Sequence, residues 1–251
     1  MSNITKAYRK GYFHNETILR KLLQIYYQTM TRNLKSKAAD ICGILIQHYG
    51  DAISDRKLPP IDELVMTILS QHTNDINMLR AFENLKRSYS TWEEVLSAPQ
   101  DELAQAIRSS GMYNLKAKRI QAALREIKDR VGHLDLSHLE SMELDEAKEW
   151  LTSLHGVGPK TAAIVLLFSF GKSALPVDTH VWRVTKRLGL IDSKVSREKA
   201  HVLLEQVFPH ECIPSLNKNL VQHGREICRS QNPRCYDCVL NHLCDYFLLS
   251  K

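Results

Sequence analysis

Apolar side chains recur every three or four residues along most of the chain, which is the period of an amphipathic α-helix. Asn15 to Met30 carries them at positions 18, 19, 22, 23, 26 and 27. Lys35 to Tyr49 continues the pattern, and Gly50 can end that helix. Pro60 suits the first position of a third helix, whose apolar face runs through positions 64, 68 and 69.

Helical periodicity continues to the C-terminal region, and alternating strand patterns are scarce. Thr91 and Glu94 form a capping box at the start of a short helix. Further helices are predicted over residues 101–109, 115–130, 145–154, 160–170, 179–188, 197–208 and 215–227. No long linker, low-complexity tract or clear repeat interrupts the series. The pattern predicts an all-α protein built from many short helices.

The composition is that of an ordinary globular protein. The 251 residues suit one large domain or two modest ones, and 43% of them are hydrophobic. The longest strongly apolar stretch, residues 162–168, is too short to cross a bilayer. The polar N-terminus lacks the apolar core of a secretory signal. We therefore expect an intracellular protein, cytoplasmic in a prokaryote, with no membrane partner and acting as a monomer.

The positive charge is concentrated at the N-terminus. The chain has a net charge of +6, and residues 1–38 contain eight basic side chains against the single acid Glu16. A basic arm on a nearly neutral body favours a polyanionic partner, because Lys and Arg release condensed counterions from phosphates. The alternative is a terminus that serves only solubility.

Four of the six cysteines lie within seventeen residues near the C-terminus. They are Cys228, Cys235, Cys238 and Cys244, in the run C-x6-C-x2-C-x5-C. Thiolates at this spacing can hold a tetrahedral zinc ion or an iron–sulfur cluster, and the spacing leaves both open. Disulfides are disfavoured without a secretory signal. Cys42 and Cys212 lie outside the run and are predicted to be small buried side chains.

A glycine hairpin between two predicted helices is suited to hold a phosphate. One helix ends near Leu154, the turn is Gly156-Val157-Gly158, and Pro159 takes the first position of the next helix. Glycine lets the backbone turn sharply and expose N–H groups where the next helix dipole is positive. Such a site grips the backbone without reading a base. The alternative is a turn without a ligand.

Lys160 and Asp178 carry the candidate chemistry. Lys160 lies in the first turn of the helix after the hairpin, where the positive end of the dipole disfavours an ammonium group. A neutral amine can attack an electrophilic carbon and form a Schiff base. Asp178 can cap the helix that begins at Thr179, and a carboxylate near the amine can also move protons or stabilise positive charge on a sugar ring. The alternatives are a solvated phosphate-binding lysine and a simple cap.

Three motifs together resemble the endonuclease III branch of the helix–hairpin–helix DNA glycosylases. They are Leu154-His-Gly-Val-Gly-Pro-Lys-Thr-Ala, Val177-Asp-Thr-His-Val-Trp-Arg-Val and the cysteine run, in that order and spacing. Gly111-Met-Tyr-Asn-Leu-Lys-Ala-Lys and His223-Gly-Arg-Glu-Ile-Cys are similar to further segments of the family. The resemblance covers about residues 35 to 248.

The resemblance implies a role for each matched residue. Lys160 falls on the family's Schiff-base lysine and Asp178 on its catalytic aspartate. The hairpin, followed by Thr161, falls on the phosphate-gripping element, and the four cysteines fall on the ligands of a [4Fe-4S] cluster that braces the protein near DNA. The implied architecture is a six-helix barrel with the hairpin over 53–172, an iron–sulfur domain from 35–52 and 173–251, and a DNA cleft between them. Residues 1–34 form an added basic helical extension.

Some candidate DNA contacts depart from the family pattern. The family segment L-S-A-Q-x-T-D, whose glutamine fills the gap left by a flipped base, reads Leu69-Ser-Gln-His-Thr-Asn-Asp here. His72 therefore takes the glutamine position, after Gln71, and it can wedge and stack or have no role. His155 stands where many relatives carry proline. The other predicted DNA contacts are Lys116, Lys118, Arg119, Lys186, Arg187 and the N-terminal arm.

The resemblance implies a bifunctional DNA glycosylase and abasic-site lyase of base excision repair. Its substrate would be double-stranded DNA with damaged, mainly oxidised, pyrimidines or abasic sites, from which one nucleotide is flipped out. The alternatives are a monofunctional mismatch, uracil or adenine glycosylase and a noncatalytic iron–sulfur DNA-binding protein on the same scaffold. Lys160 and Asp178 at the expected spacing favour the bifunctional enzyme.

Overall fold

The computed structural model describes residues 16–51 and 58–250, with side chains from residue 31 onward. Within these ranges the helices are α1 (Glu16–Tyr49), α2 (Pro60–Ser70), α3 (Asp75–Ser88), α4 (Trp92–Ser97), α5 (Gln100–Ala106), α6 (Tyr113–Val131), α7 (Leu144–Thr152), α8 (Pro159–Phe170), α9 (Thr179–Arg187), α10 (Arg197–Glu205), α11 (Ile213–Glu226) and α12 (Asp245–Leu248). Short 3-10 turns lie at Arg108–Ser110, Ser137–Glu140, His210–Cys212, Cys235–Asp237 and Asn241–Leu243. The first fifteen residues of the predicted basic arm lie outside the described part.

The prediction of an all-α protein is confirmed, since the described ranges contain helices, turns and loops and no strand. Several details differ from the predicted helices, and the short helix α12 is one that the predicted set does not contain. The helices predicted over 15–30 and 35–49 are continuous from Glu16 onward as α1, because no glycine or proline lies between them to interrupt it. α3 is absent from the predicted set, although Asn74 caps it by accepting a hydrogen bond from the Asn77 N–H at 2.9 Å. No helix in the described ranges is long and apolar enough to cross a membrane.

The prolines and the capping box identified in the sequence lie at the helix starts that they predict. Pro60 and Pro159 open α2 and α8. Thr91 Oγ1 accepts from the Glu94 N–H at 3.2 Å, while the Glu94 carboxylate accepts from the N–H of Ser90, one residue before the cap. These contacts fix where the short helices begin.

In the described part of the chain, the buried apolar side chains form two clusters. The first cluster runs from Ile61 to Ala174 and unites α2 to α8. The second cluster unites α1 with α9 to α12 and the cysteine loop, and it includes Cys42 and Cys212, whose predicted burial is confirmed. α8 contributes to both clusters, because Leu167 belongs to the second. The helix that begins at the glycine hairpin therefore stands between two apolar cores.

Candidate functional site

The glycine hairpin connects α7 to α8. Gly156 has a left-handed φ of 81°, and Val157 is buried beneath the turn. Gly158 and Pro159 are exposed at the start of α8. The first hydrogen bond between Gly158 and the new helix runs from the Ala162 N–H to the Gly158 carbonyl at 3.0 Å. The backbone N–H groups before Ala162 have no partner within the helix. Together with the helix dipole, they favour binding of an anion at the start of α8.

Lys160 and Thr161 occupy the first turn of α8. Lys160 is exposed, whereas the Thr161 side chain is only 5% exposed. A phosphate contact by Thr161 would therefore use its backbone N–H rather than its hydroxyl. Burial lowers the pKa of His201 on α10 to about 4, and the positive charges of Lys148 and Lys160 add to this effect. Lys160 thus lies close enough to α10 for its charge to act there.

Asp178 caps α9, as its sequence position predicts. Its Oδ1 accepts hydrogen bonds from the N–H groups of His180 and Val181, both at 2.8 Å. A cap of this kind stabilises a helix by about 1 kcal/mol. The cap uses one carboxylate oxygen for both bonds, so the helix does not require the other. Capping and a role in catalysis are compatible at this half-buried position.

Gln71 and His72 form the turn after α2. Gln71 is extended, and His72 follows with a left-handed φ of 53° and an exposed ring. Arg119 Nη1 donates to Gln71 Oε1 at 2.6 Å. The stem of Arg119 lies against Gly156, where an added Cβ would stand 2.9 Å from Arg119 Cγ. Arg119 therefore joins the 71–74 turn to the glycine hairpin.

Lys116 is a predicted DNA contact that the structure places in the interior. It is 1% exposed, and its Nζ donates to the carbonyls of Leu69 at 2.7 Å and Ser110 at 2.6 Å. Burial lowers the pKa of Lys116 to about 8. The prediction of a phosphate contact is wrong for this residue, because its donors are committed to two buried carbonyls. Its neighbour Lys118 is exposed on α6 and stays a predicted contact.

The amine of Lys116 holds together two turns that carry exposed side chains. Leu69 stands just before Gln71, and Ser110 stands just before Gly111 and Met112. Met112 is 46% exposed with a left-handed φ of 44°, an uncommon conformation for a residue that is not glycine. Residues held in sparsely populated backbone conformations cluster at functional sites. Met112 is a candidate that the sequence pattern does not single out.

Arg187 is a second predicted DNA contact with another role. Its guanidinium donates to the carbonyls of Arg229 at 2.6 Å and Ser230 at 3.1 Å and approaches the Cys228 sulfur at 3.4 Å. These bonds fix the start of the cysteine loop, and a DNA contact by the partly exposed Arg187 stays a prediction. Lys186 stacks on the ring of Trp182, with Nζ 4.2 Å from its centroid.

The four cysteines of the run line one small cavity beside the ends of α9 and α11. Burial raises the pKa of Cys238 to about 11, and the neighbouring thiols add to this effect. Four thiolates in this cavity therefore require a positively charged partner. In the described ranges, no group of three or more His, Cys, Asp or Glu side chains is arranged to hold a single metal ion.

A profile of the HhH-GPD superfamily of base excision DNA repair proteins matches residues 65–210, a range that includes the hairpin, Lys160 and Asp178. The chain belongs to this family. Endonuclease III of Thermotoga maritima is 35% identical over 192 residues, which cover 76% of this chain and 85% of that protein. Endonuclease III of Bacillus subtilis is 36% identical over 185 residues, covering 74% of this chain and 80% of that protein.

Solved structures share the fold of this HhH-GPD protein. A non-covalent endonuclease III–DNA complex aligns with a TM-score of 0.73 and 29% identity, over 86% of this chain and 97% of that chain. A thermostable thymine-DNA glycosylase aligns with a TM-score of 0.73 at 21% identity, over 87% and 99%, which shows a common fold. The resemblance to endonuclease III is confirmed, and the chain is a DNA glycosylase of base excision repair.

Proposed function

We propose that this glycosylase is bifunctional, cutting the strand as well as removing the base, and that it acts on damaged pyrimidines, mainly oxidised ones. The observation that carries the proposal is Lys160, an exposed amine directly after the phosphate-gripping hairpin. Asp178 at the start of α9 supplies the carboxylate. The relatives named endonuclease III, which match three quarters of the chain, support the same activity.

In the proposed reaction the hairpin holds a phosphate while the damaged nucleotide is flipped out of the duplex. The Lys160 amine attacks C1′ with its lone pair, the N-glycosidic bond breaks, and the base leaves with the bonding electrons and takes up a proton. Asp178 stabilises the positive charge that develops on the sugar and accepts the proton that the amine loses. Opening of the sugar ring gives a Schiff base between Lys160 and C1′.

The lyase step follows from the same amine. The iminium group at C1′ acidifies the hydrogen on C2′, and loss of that proton expels the 3′ phosphate. This β-elimination cuts the strand 3′ to the lesion, and hydrolysis of the Schiff base then returns the free lysine. A glycosylase that uses water in place of the amine releases the base and leaves the backbone intact. Lys160 therefore favours the bifunctional enzyme over the monofunctional alternative.

We propose that the 71–74 turn fills the gap left by the flipped nucleotide, with the exposed His72 ring as the wedge and Met112 beside it. Lys118 on α6 contacts a phosphate. We propose a barrel domain over 53–172, which holds most of the first apolar cluster, and a second domain over 35–52 and 173–251, which holds most of the second. Duplex DNA would lie in the cleft between them. The protein acts as a monomer on DNA within the cell.

We propose that the four cysteines hold a [4Fe-4S] cluster. Sulfurs arranged around a cavity suit a polynuclear group, whereas zinc requires four sulfurs about 2.3 Å from one ion. When bound, the cluster supplies the positive charge that the thiolates need and braces residues 228–244 into one loop. Arg187 and the backbone it binds hold the start of this loop in place. Catalysis remains with Lys160 and Asp178.

The test uses duplexes that carry thymine glycol, uracil, 8-oxoguanine or an abasic site. We expect the wild-type protein to cut these strands without added alkali or heat and to leave the ends that β-elimination produces. Among the damaged bases, cleavage should be fastest at thymine glycol. Lys160→Ala should abolish cleavage, while Lys194→Ala, which removes an exposed lysine far along the chain from the hairpin, should not. Release of the base with an intact backbone would establish the monofunctional alternative. Full cleavage by Lys160→Ala would overturn the proposal.

A further inference from the structure

The segment that leads to Asp178 is held by side chains from other elements. The Leu175 N–H donates to Glu205 Oε1 at 2.8 Å, and the Leu175 carbonyl lies 2.9 Å from His201 Nδ1. Asn217 Nδ2 donates to the carbonyl of Pro176 at 2.8 Å. Leu175 is fully buried, so its backbone depends on these partners rather than on water. The chain just before Asp178 is therefore fixed mainly by α10 and α11.

Glu205 also connects this segment to the helix before the hairpin. It is 8% exposed, and its Oε2 accepts a hydrogen bond from Lys148 Nζ on α7. Ala147, beside Lys148, belongs to the first apolar cluster, and Leu204, beside Glu205, belongs to the second. The ion pair therefore spans the junction between the two clusters. One carboxylate thus binds both the hairpin's helix and the backbone that leads to Asp178.

In the described part of the chain Lys148 is the cation that contacts Glu205, and its Nζ also lies 3.5 Å from Asp145 Oδ1. His201 lies on the same helix, but burial lowers its pKa to about 4, so it is neutral near pH 7. A neutral His201 binds the Leu175 carbonyl through a protonated Nδ1. Breaking a buried ion pair by removing one partner is costly, because the other charge stays behind without compensation. Loss of either charge would therefore weaken the link between α7 and the Leu175 backbone.

We infer that Glu205, held by Lys148, is a positioning residue that sets Asp178 relative to Lys160. The inference rests on the proposed function, and it gives neither Glu205 nor Lys148 a contact with DNA. Lys160 follows the hairpin at the end of α7, whereas Asp178 follows a backbone segment bound by α10. The Lys148–Glu205 pair directly links α7, which leads to Lys160, with the backbone segment that leads to Asp178. A misplacement of about 1 Å between reacting groups can cost about 100-fold in rate.

The test is a double-mutant cycle on the excision step under single-turnover conditions. Glu205→Gln keeps an acceptor for the Leu175 N–H but removes the negative charge that faces Lys148. We expect it to lower the excision rate about tenfold or more without weakening duplex affinity. Lys148→Met should act in the same way, and Lys148→Arg should retain more of the rate. In a protein that already carries Asp178→Asn, Glu205→Gln should cause no further loss.

Each outcome decides the inference. Leu136→Ala, in the first cluster, measures what a general loss of stability does to the rate. An equal loss from Glu205→Gln with and without Asp178→Asn overturns the inference, as does a full rate in Glu205→Gln. If Glu205→Gln does not fold, Lys148→Met carries the same cycle, since Lys148 is 20% exposed. A wild-type protein without excision activity overturns the proposed function and the inference together, whereas an active one with additive losses overturns the inference alone.

Discussion

Arg119 on α6 donates a hydrogen bond to the side chain of Gln71, 48 residues earlier in the chain, at a distance of 2.6 Å. The stem of the same arginine covers Gly156 in the glycine hairpin. One side chain therefore links the turn that carries His72 to the element that grips phosphate. Because Arg119 occupies the amide oxygen of Gln71, the amide NH2 is left as the group that can donate to a base.

Arg119→Met should reduce discrimination between opposite bases. Without the arginine, the Gln71 amide is free to rotate and can present either its donor or its acceptor. A hydrogen bond to a charged group contributes about 1.5–3 kcal/mol, so we expect the ratio of excision rates across the four opposite bases to fall about tenfold. Lys118→Met, on the exposed face of the same helix, should leave this ratio unchanged. It should reduce the slope of log affinity against log salt concentration by about one, the effect of losing one phosphate contact. An unchanged ratio in Arg119→Met would contradict the proposed coupling.

The two hairpin glycines should respond differently to alanine. Gly156 has a φ of 81°, and a Cβ there would meet Arg119 Cγ at 2.9 Å, so Gly156→Ala should cost about 1–3 kcal/mol of stability. Gly158 has a φ of −97° and open space around its Cα, so Gly158→Ala should change stability by less than about 1 kcal/mol. Thermal melting compares the two variants. Equal losses of stability would show that neither the positive φ nor the contact with Arg119 makes alanine unfavourable at position 156.

The sequence predicts those parts of the fold and site that depend on neighbours in the chain. Pro159 opens α8 and Asp178 caps α9, because caps and turns are decided within a few residues. The hairpin is predicted for the same reason. The helix α3 escapes prediction because its exposed face carries Ile76 and Leu79, which blur the apolar stripe.

Contacts between distant segments could not be predicted. From the sequence, Lys116 is predicted to be a solvent-facing basic residue on an amphipathic helix. In the structure its amine donates to the Leu69 carbonyl, 47 residues earlier in the chain. Arg187 is the last residue of α9, but the carbonyls that it binds lie more than 40 residues later in the chain. The bond between Glu205 and Leu175 likewise spans 30 residues. Periodicity shows which face of a helix is buried, and it does not show which buried group meets which.

Glu63 should make stability depend on pH. It is buried on α2, and burial raises the pKa of Glu63 to about 7, while its bond with Thr67 opposes the shift. The folded protein therefore holds this proton more tightly than the unfolded chain does, and stability falls as pH rises from about 4.5 to 7. Glu63→Gln should be more stable than wild type at pH 8, by up to about 3 kcal/mol, and the difference should shrink at pH 5.

Urea unfolding at the two pH values measures this effect. Glu83→Gln on α3 serves as the control, because Glu83 is exposed and should give the same small difference at both values. A stability difference between Glu63→Gln and wild type that does not change with pH would show that burial of the carboxyl is not the cause.

The cysteine loop should depend on iron. We expect purified protein to be brown with about four irons per chain, as a [4Fe-4S] cluster requires. Cys238→Ser should lose iron and colour, expose residues 228–244 to protease and weaken DNA binding, while the helical circular dichroism persists. Cys212→Ala, outside the run, should keep its iron. Colourless wild-type protein with one zinc per chain would contradict the proposed cluster.

The position of the covalent bond between protein and DNA tests the proposed function most directly. Reduction with borohydride during turnover converts the Schiff base into a stable amine, and mass spectrometry of the digested complex then locates the sugar. We expect the adduct on the peptide that contains Lys160, formed more slowly in Asp178→Asn. An adduct on any other amine, with the Lys160 peptide unmodified, would contradict the assignment, as would base release without any adduct.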